Sequence, residues 1–208
     1  MAKNLAISCW KQGVELLFFG NDEASINQMS NYASTVNNIK ENRFRLDITR
    51  DLPADHTKFD TEDFIKTAWM RYEIFKFLTW NNYYSIYLDT DILVKKDFTE
   101  DIISYMEKSY IDGVVQLNHH SRPCTGILGF HPRSKYKLNR IYSENYLGNF
   151  NYKAIYGAAD QSSFNEHVCP HDDQPKLNMN FLSRDLYPNG AWWYRNNKIL
   201  KNVAKIAH

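Results

Sequence analysis

Two carboxylates one residue apart, Asp89 and Asp91, interrupt an otherwise apolar stretch: Tyr84-Ser85-Ile86-Tyr87-Leu88-Asp89-Thr90-Asp91-Ile92-Leu93-Val94. The aromatic and β-branched residues of this run predict a buried strand. Carboxylates enter such surroundings when they are paired or bound to metal. The C-terminal end of a strand in an α/β protein is also where ligands bind. The competing reading has Asp89 capping a turn and Asp91 in solvent. Oxygen donors of this kind suit hard cations, Mn²⁺ or Mg²⁺, with waters and substrate phosphates completing the shell.

The segment before this run carries a second clue. At 100° per residue, Phe64, Ala68, Tyr72, Phe75 and Leu78 share one helix face, and Arg71 falls within the same stripe. A permanent cation there needs a partner. Either it forms a buried ion pair or it reaches an anionic ligand near Asp89 and Asp91, since its planar fork matches phosphate. A cation and an arginine together point to a diphosphate leaving group.

Three further clusters carry polar or aromatic chemistry. His171-Asp172-Asp173 is a solvated loop or a source of general base for an acceptor hydroxyl, with Asp160 competing for that role. Trp192 and Trp193 form a possible acceptor platform, because neighbouring side chains of an extended segment point apart. The same alternation argues against His119-His120 as a metal pair.

The elements that must position these groups alternate. Leu5 to Trp10 reads as a first strand, and Val14 to Phe19 as a second strand or the end of the first unit. A helix is expected from Asn21-Asp22 to about Asn38, and a short strand from Phe44 to Ile48. Thr61 opens a long helix to Trp80, with acidic residues in its first turn. After the aspartate run, a helix capped by Thr99 is expected over Glu100 to Ser109. Strands follow at Gly113 to Leu117 and Gly126 to Phe130, then a helix from Ser134 to Leu147. Asp160 to His167 reads as helical after Gly157-Ala158-Ala159. The stretch from Pro170 to Asn197 reads as loop, and Val203 to Ala207 as a last strand. This order implies an α/β sandwich.

Composition narrows the function. With 208 residues, the chain can bury a core without staples, and a formal charge of +1 gives no sign of a nucleic-acid binder. The three cysteines, Cys9, Cys124 and Cys169, form no C-x-x-C pair and no disulfide framework. The apolar run at Leu5 to Ile7 is too short for a signal peptide or membrane span, which favours a cytoplasmic location.

The segment from Met70-Arg71-Tyr72-Glu73 to Val94 resembles the GT-A fold glycosyltransferases, chiefly the glycogenin-like and lipopolysaccharide galactosyltransferase-like group (family eight) and the D-x-D group of family thirty-two. Cys124-Thr125-Gly126-Ile127-Leu128-Gly129-Phe130 resembles their small-residue strand. Gly157-Ala158-Ala159-Asp160-Gln161-Ser162-Ser163-Phe164-Asn165 resembles their D-Q helix start, and Lys205-Ile206-Ala207-His208 their strand ending in a metal-binding His. These blocks span about residues 64 to 208. The size also suits a domain of a virus-encoded glycosyltransferase.

The resemblance implies a Rossmann-like GT-A α/β/α sandwich with a mixed central sheet. It would form a single domain, with residues 1–120 as the nucleotide-sugar half and 121–208 as the acceptor half. It implies a hexosyltransferase moving sugar from a nucleotide-diphosphate sugar, UDP-sugar above all, to a glycan or glycoprotein hydroxyl. Asp89, Asp91 and His208 would hold the cation. Ile7, Ser8, Cys9 and Trp10 would line the base pocket. Asp89 and Thr90 would lie at the donor, and Arg71 would hold its sugar or diphosphate. Asp160 would bind donor hydroxyls, with Gln161 near the reacting carbon. Cys124 replaces the usual Asn, which leaves the sugar open. The usual Gly-x-x-Lys-Pro-Trp segment after the His is absent, which suggests a domain of a longer chain. Two alternatives stand beside this reading. One is a haloacid-dehalogenase-like Mg²⁺-dependent phosphatase, with Asp172-Asp173 as its acidic pair. The other is a non-catalytic nucleotide-sugar-binding module.

Overall fold

The apolar runs at 113–117 and 123–130 become the two central strands of a four-stranded mixed sheet. The computed structural model describes residues 2–20, 23–33, 35–38, 61–118, 120, 122–145, 161, 164–165 and 176–208. The sheet order is β3 (Ser85–Leu88), β6 (Pro123–Phe130), β5 (Gly113–Leu117), β7 (Met179–Phe181). β3 and β5 run antiparallel to β6, whereas β7 runs parallel to β5. Every residue of β6 is buried, as expected of a strand covered on both faces.

Alternation along these strands divides the core in two. On one side Val115, Leu128 and Phe130 pack against Tyr72 and Phe75 of α3 (Glu62–Trp80) and Leu138 and Ile141 of α5 (Lys135–Asn145). On the other side Val114 and Ile127 meet Leu5 and Cys9 of α1 (Ala2–Lys11) and Phe98, Ile102 and Met106 in and before α4 (Thr99–Met106). The result is an α/β/α sandwich with a mixed central sheet. Strands from both residues 1–120 and 121–208 share that sheet. A separate parallel pair, β1 (Leu17–Gly20) and β2 (Thr35–Asn38), flanks α2 (Glu23–Met29).

Several elements differ from the sequence-based expectation. Leu5 to Trp10 is helix, not strand. Its buried residues Leu5, Ala6, Ser8 and Cys9 fall on one helical stripe. The helix expected to reach Asn38 stops at Met29, and the β-branched pair Thr35-Val36 enters β2. The stretch read as loop after Pro170 contains β7 and α6 (Gly190–Leu200). Pro188-Asn189-Gly190 is a helix start there, because the Asn189 side chain accepts the Trp192 N–H at 3.0 Å. Thr99 is the first helical residue of α4 rather than its cap. Phe44 to Ile48 lies outside the described residues.

α3 follows its predicted bounds, and its end aims the next strand. Asn82 takes a left-handed conformation (φ 61°), and the Tyr83 N–H reaches back to the Leu78 carbonyl at 2.9 Å. This is the helix-ending motif that favours Asn or Gly, and it turns the chain into β3. Among the described residues, no helix is long and apolar enough to cross a membrane.

Candidate metal and donor site

The Tyr84 to Val94 run is two short strands joined by a turn, not one strand. β3 ends at Leu88, and the Asp89 N–H donates to the Gly126 carbonyl of β6 at 2.9 Å. The Ile92 N–H then closes the turn on the Asp89 carbonyl at 3.1 Å. β4 (Leu93–Val94) pairs antiparallel with β8 (Ile206–Ala207), with Leu93 opposite Ala207. Continuing that register by one pair brings His208 alongside the aspartate turn. The Val94 N–H donates to Ser8 Oγ at 2.9 Å, which fixes β4 against α1.

Asp89, Asp91 and His208 therefore converge: one ligand atom from each lies within 4.8 Å of the others. His208 Nε2 stands 3.3 Å from Asp91 Oδ1 and 3.9 Å from Asp89 Oδ2. His208 is 14% exposed and Asp91 55%, so the cluster opens to solvent on the Asp91 side. Thr90, at the tip of the turn, is exposed.

Asp89 is oriented from behind. Tyr87 Oη donates to Asp89 Oδ1 at 2.7 Å, which turns Oδ2 toward His208. Arg71 Nη1 lies 3.8 Å from the same Oδ1 and donates to the Thr125 carbonyl at 3.1 Å. Its guanidinium carbon is 4.5 Å from the centre of the Tyr87 ring. Arg71 thus has the ion-pair partner that a cation on an apolar stripe requires, and it stands at the aspartate turn.

A cradle of small and polar groups supports His208. A Cβ added to Gly126 would lie 2.4 Å from His208 Cε1, so only glycine admits the imidazole here. Gln116 Oε1 lies 3.3 Å from His208 Nδ1, and Gln116 Nε2 donates to the Tyr187 carbonyl at 3.2 Å. A register shift in the β5–β6 ladder falls between Val115 and Gln116. Tyr187 is itself fully buried, and its phenol donates to Asp101. Burial and that carboxylate push its acidity far below that of an ordinary phenol.

Two carboxylates and one imidazole make a donor set of oxygen and nitrogen compatible with a divalent cation. The glycine cradle and the oriented Asp89 fit such an ion. Sequence reasoning missed Gln116, Tyr87 and Gly126 as parts of the site. The only signal for Gln116 was a lone amide inside the apolar run Gly113 to Leu117.

The other predicted residues lie elsewhere or outside the described residues. Ile7, Ser8, Cys9 and Trp10 do not meet at a strand end. They lie on α1, where Ser8 and Cys9 are buried and Trp10 is 76% exposed. Burial pushes the Cys9 thiol up to about 11. Cys124 is buried in β6 opposite Gln116. Trp192 and Trp193 lie in the first turn of α6. Trp192 Nε1 donates to Asp185 at 3.2 Å and its ring stacks with Arg184, while Lys95 sits over Trp193. Gln161 is helical and half-buried, and Phe164 enters the core beside α3 and α5. His120 is exposed, with its N–H bonded to Asn118. Asp160, His171, Asp172, Asp173 and His119 lie outside the described residues.

No protein-family description matches this sequence, and no curated protein matches it. Solved structures do. One is a glycosyltransferase involved in the glycosylation of the major capsid of PBCV-1, at 12% identity and TM-score 0.51, covering 93% of this chain and 92% of that one. Another is the glycosyltransferase GlyE of Streptococcus pneumoniae TIGR4, at 12% identity and TM-score 0.57. That match covers 100% of this chain, which spans 50% of the length of GlyE. At such identity the likeness speaks for architecture, and it agrees with the mixed sheet and its flanking helices: the chain has a GT-A-like fold.

Proposed function

We propose that this protein is a metal-dependent glycosyltransferase. It would move a sugar from a nucleotide-diphosphate sugar, UDP-sugar first among them, to a hydroxyl of a glycan or glycoprotein. The observation that carries the reading is the convergence of Asp89, Asp91 and His208 beside Arg71, in a fold shared with two glycosyltransferases.

Asp89, Asp91 and His208 would hold Mn²⁺ or Mg²⁺. Bound there, the ion would offset charge building on the diphosphate as its bond to the sugar breaks. Arg71 would bind the donor's diphosphate or sugar, with its fork held by the Thr125 carbonyl and the Tyr87 ring. Tyr87 would keep Asp89 pointed at the ion. Asp160 would bind donor hydroxyls or serve as base, and Gln161 would stand near the reacting carbon. Asp172 and Asp173 are further sources of a base for the acceptor. Trp192 and Trp193 would offer the acceptor an aromatic surface. Of the four residues expected at the base pocket, Ile7 and Trp10 would be free to meet a nucleotide base from α1, while Ser8 and Cys9, buried, would support that helix against β4 and the core.

Titration calorimetry with UDP-sugars, with and without Mn²⁺, tests this. Binding should require the ion and should vanish in Asp91→Ala. Equal nucleotide affinity in a chelator and in Asp91→Ala would refute the reading, as would phosphate-ester hydrolysis with no affinity for nucleotide.

A further inference from the structure

We infer that Gln116 is a positioning residue that fixes the tautomer and aim of His208, so that Nε2 presents its lone pair to the ion. The inference rests on the metal reading above. It adds a residue with no charge, no likeness to a known motif and no place in the coordination shell.

The argument is one of donors and acceptors. A backbone carbonyl can only accept, so the group of Gln116 that faces the Tyr187 carbonyl at 3.2 Å must be its NH₂. The amide cannot flip without setting two oxygens against each other. Its Oε1 therefore faces His208 Nδ1 at 3.3 Å, and an amide oxygen can only accept. Nδ1 must carry the hydrogen. Nε2 is then left to meet Asp91 Oδ1 at 3.3 Å and Asp89 Oδ2 at 3.9 Å. A lone pair facing two carboxylates calls for positive charge between them, which is what a bound divalent ion supplies.

The support is stiff at each link. Gln116 is fully buried, and so is Tyr187, whose phenol is held by Asp101. Across from Gln116 the ladder jumps from Leu128 to Cys124, so the extra residues Thr125, Gly126 and Ile127 of β6 lie beside it. Gly126 provides the space in which the ring lies against the amide, since its missing Cβ would stand 2.9 Å from both Gln116 Oε1 and His208 Nδ1. An outer group that orients a metal-binding imidazole in this way commonly sets affinity by a factor of about 10 to 100.

Two variants and two readouts test the inference. Gln116→Met keeps the volume and removes both hydrogen bonds. Gln116→Glu keeps the acceptor toward Nδ1 and, with its carboxyl protonated, still donates to the Tyr187 carbonyl. In metal-free protein, the imidazole ¹⁵N shifts of His208, assigned by the signal lost in His208→Asn, report the tautomer of the neutral ring. The wild type should show Nδ1–H, Gln116→Met should gain Nε2–H, and Gln116→Glu should return to Nδ1–H. Mn²⁺ affinity, read by the paramagnetic resonance of free ion, should fall about 10- to 100-fold in Gln116→Met and recover in Gln116→Glu. An Nε2–H tautomer in the wild type overturns the inference whether or not a variant folds. So does Gln116→Met with wild-type tautomer and affinity. If the wild type binds no Mn²⁺, the metal reading fails, while the tautomer comparison still decides the role of Gln116.

Discussion

Gly126→Ala is the most searching single change, because it adds one methyl group and alters no charge. Gly126 does not have a positive φ, so alanine meets no backbone penalty. The added Cβ would stand 2.4 Å from His208 Cε1, where ordinary contact begins at 3.4 Å, so the ring must retreat by about 1 Å. Metal–ligand distances tolerate only about 0.2 Å. A displacement of that size takes the imidazole out of the shell. Mn²⁺ affinity should drop at least ~100-fold, equivalent to about 2.7 kcal/mol. Gly129→Ala, three residues along the same strand, is the control. Its Cβ would strike Val114 Cγ2 at 2.7 Å and approach Met106 Sδ at 3.3 Å, and no His208 atom is among its nearest neighbours. It should cost stability, about 1–3 kcal/mol for an overpacked core, and leave Mn²⁺ binding alone. Metal titration and thermal unfolding of both variants separate the two effects. Wild-type Mn²⁺ affinity in Gly126→Ala would refute the idea that glycine is required to seat the imidazole.

Two further outcomes concern the scaffold. Asp112 is buried, and its carboxylate accepts the Asn178 N–H at 2.8 Å and Lys137 Nζ at 2.7 Å, tying β5 to the segment before β7 and to α5. Asp112→Ala strands the Asn178 donor and should cost about 1–3 kcal/mol in thermal unfolding, with Asp112→Asn losing less; an unchanged melting temperature would contradict this. Cys9 loses its proton at about 11 in the folded protein, against 9.0 ordinarily, so the unfolded chain ionises first as pH rises. Its contribution is present below pH 9 and is lost through the window from about 9 to 11, and Cys9→Ala should flatten the alkaline fall in stability; identical alkaline slopes would count against it.

The long helix before the aspartates and the strand Gly113–Leu117 were legible because their signals are local. One carries acidic residues in its first turn, and the other is a continuous apolar run flanked by turn residues. The convergence of Asp89, Asp91 and His208 was anticipated through the resemblance rather than through spacing. α1 was misread because three apolar residues in a row carry no period. α6 was misread because Pro-Asn-Gly serves equally as a turn and as a helix start, and only the Asn189 bond to Trp192 decides between them. Gln116 could not be assigned a role at all. Its partner lies 92 positions away, and an amide in a strand says nothing until a ring appears beside it.

The two-residue ribbon of β4 and β8 has a temporal consequence. It joins residue 93 to residue 207, so the third member of the Asp89, Asp91 and His208 cluster is contributed by a segment synthesised long after the aspartate turn. A nascent polypeptide exposes the acidic pair throughout elongation yet lacks the imidazole until β8 emerges. Capture of the ion proposed above would thereby be deferred until β8 docks, and an occupied site would in turn clasp β8 to the loop that was made first.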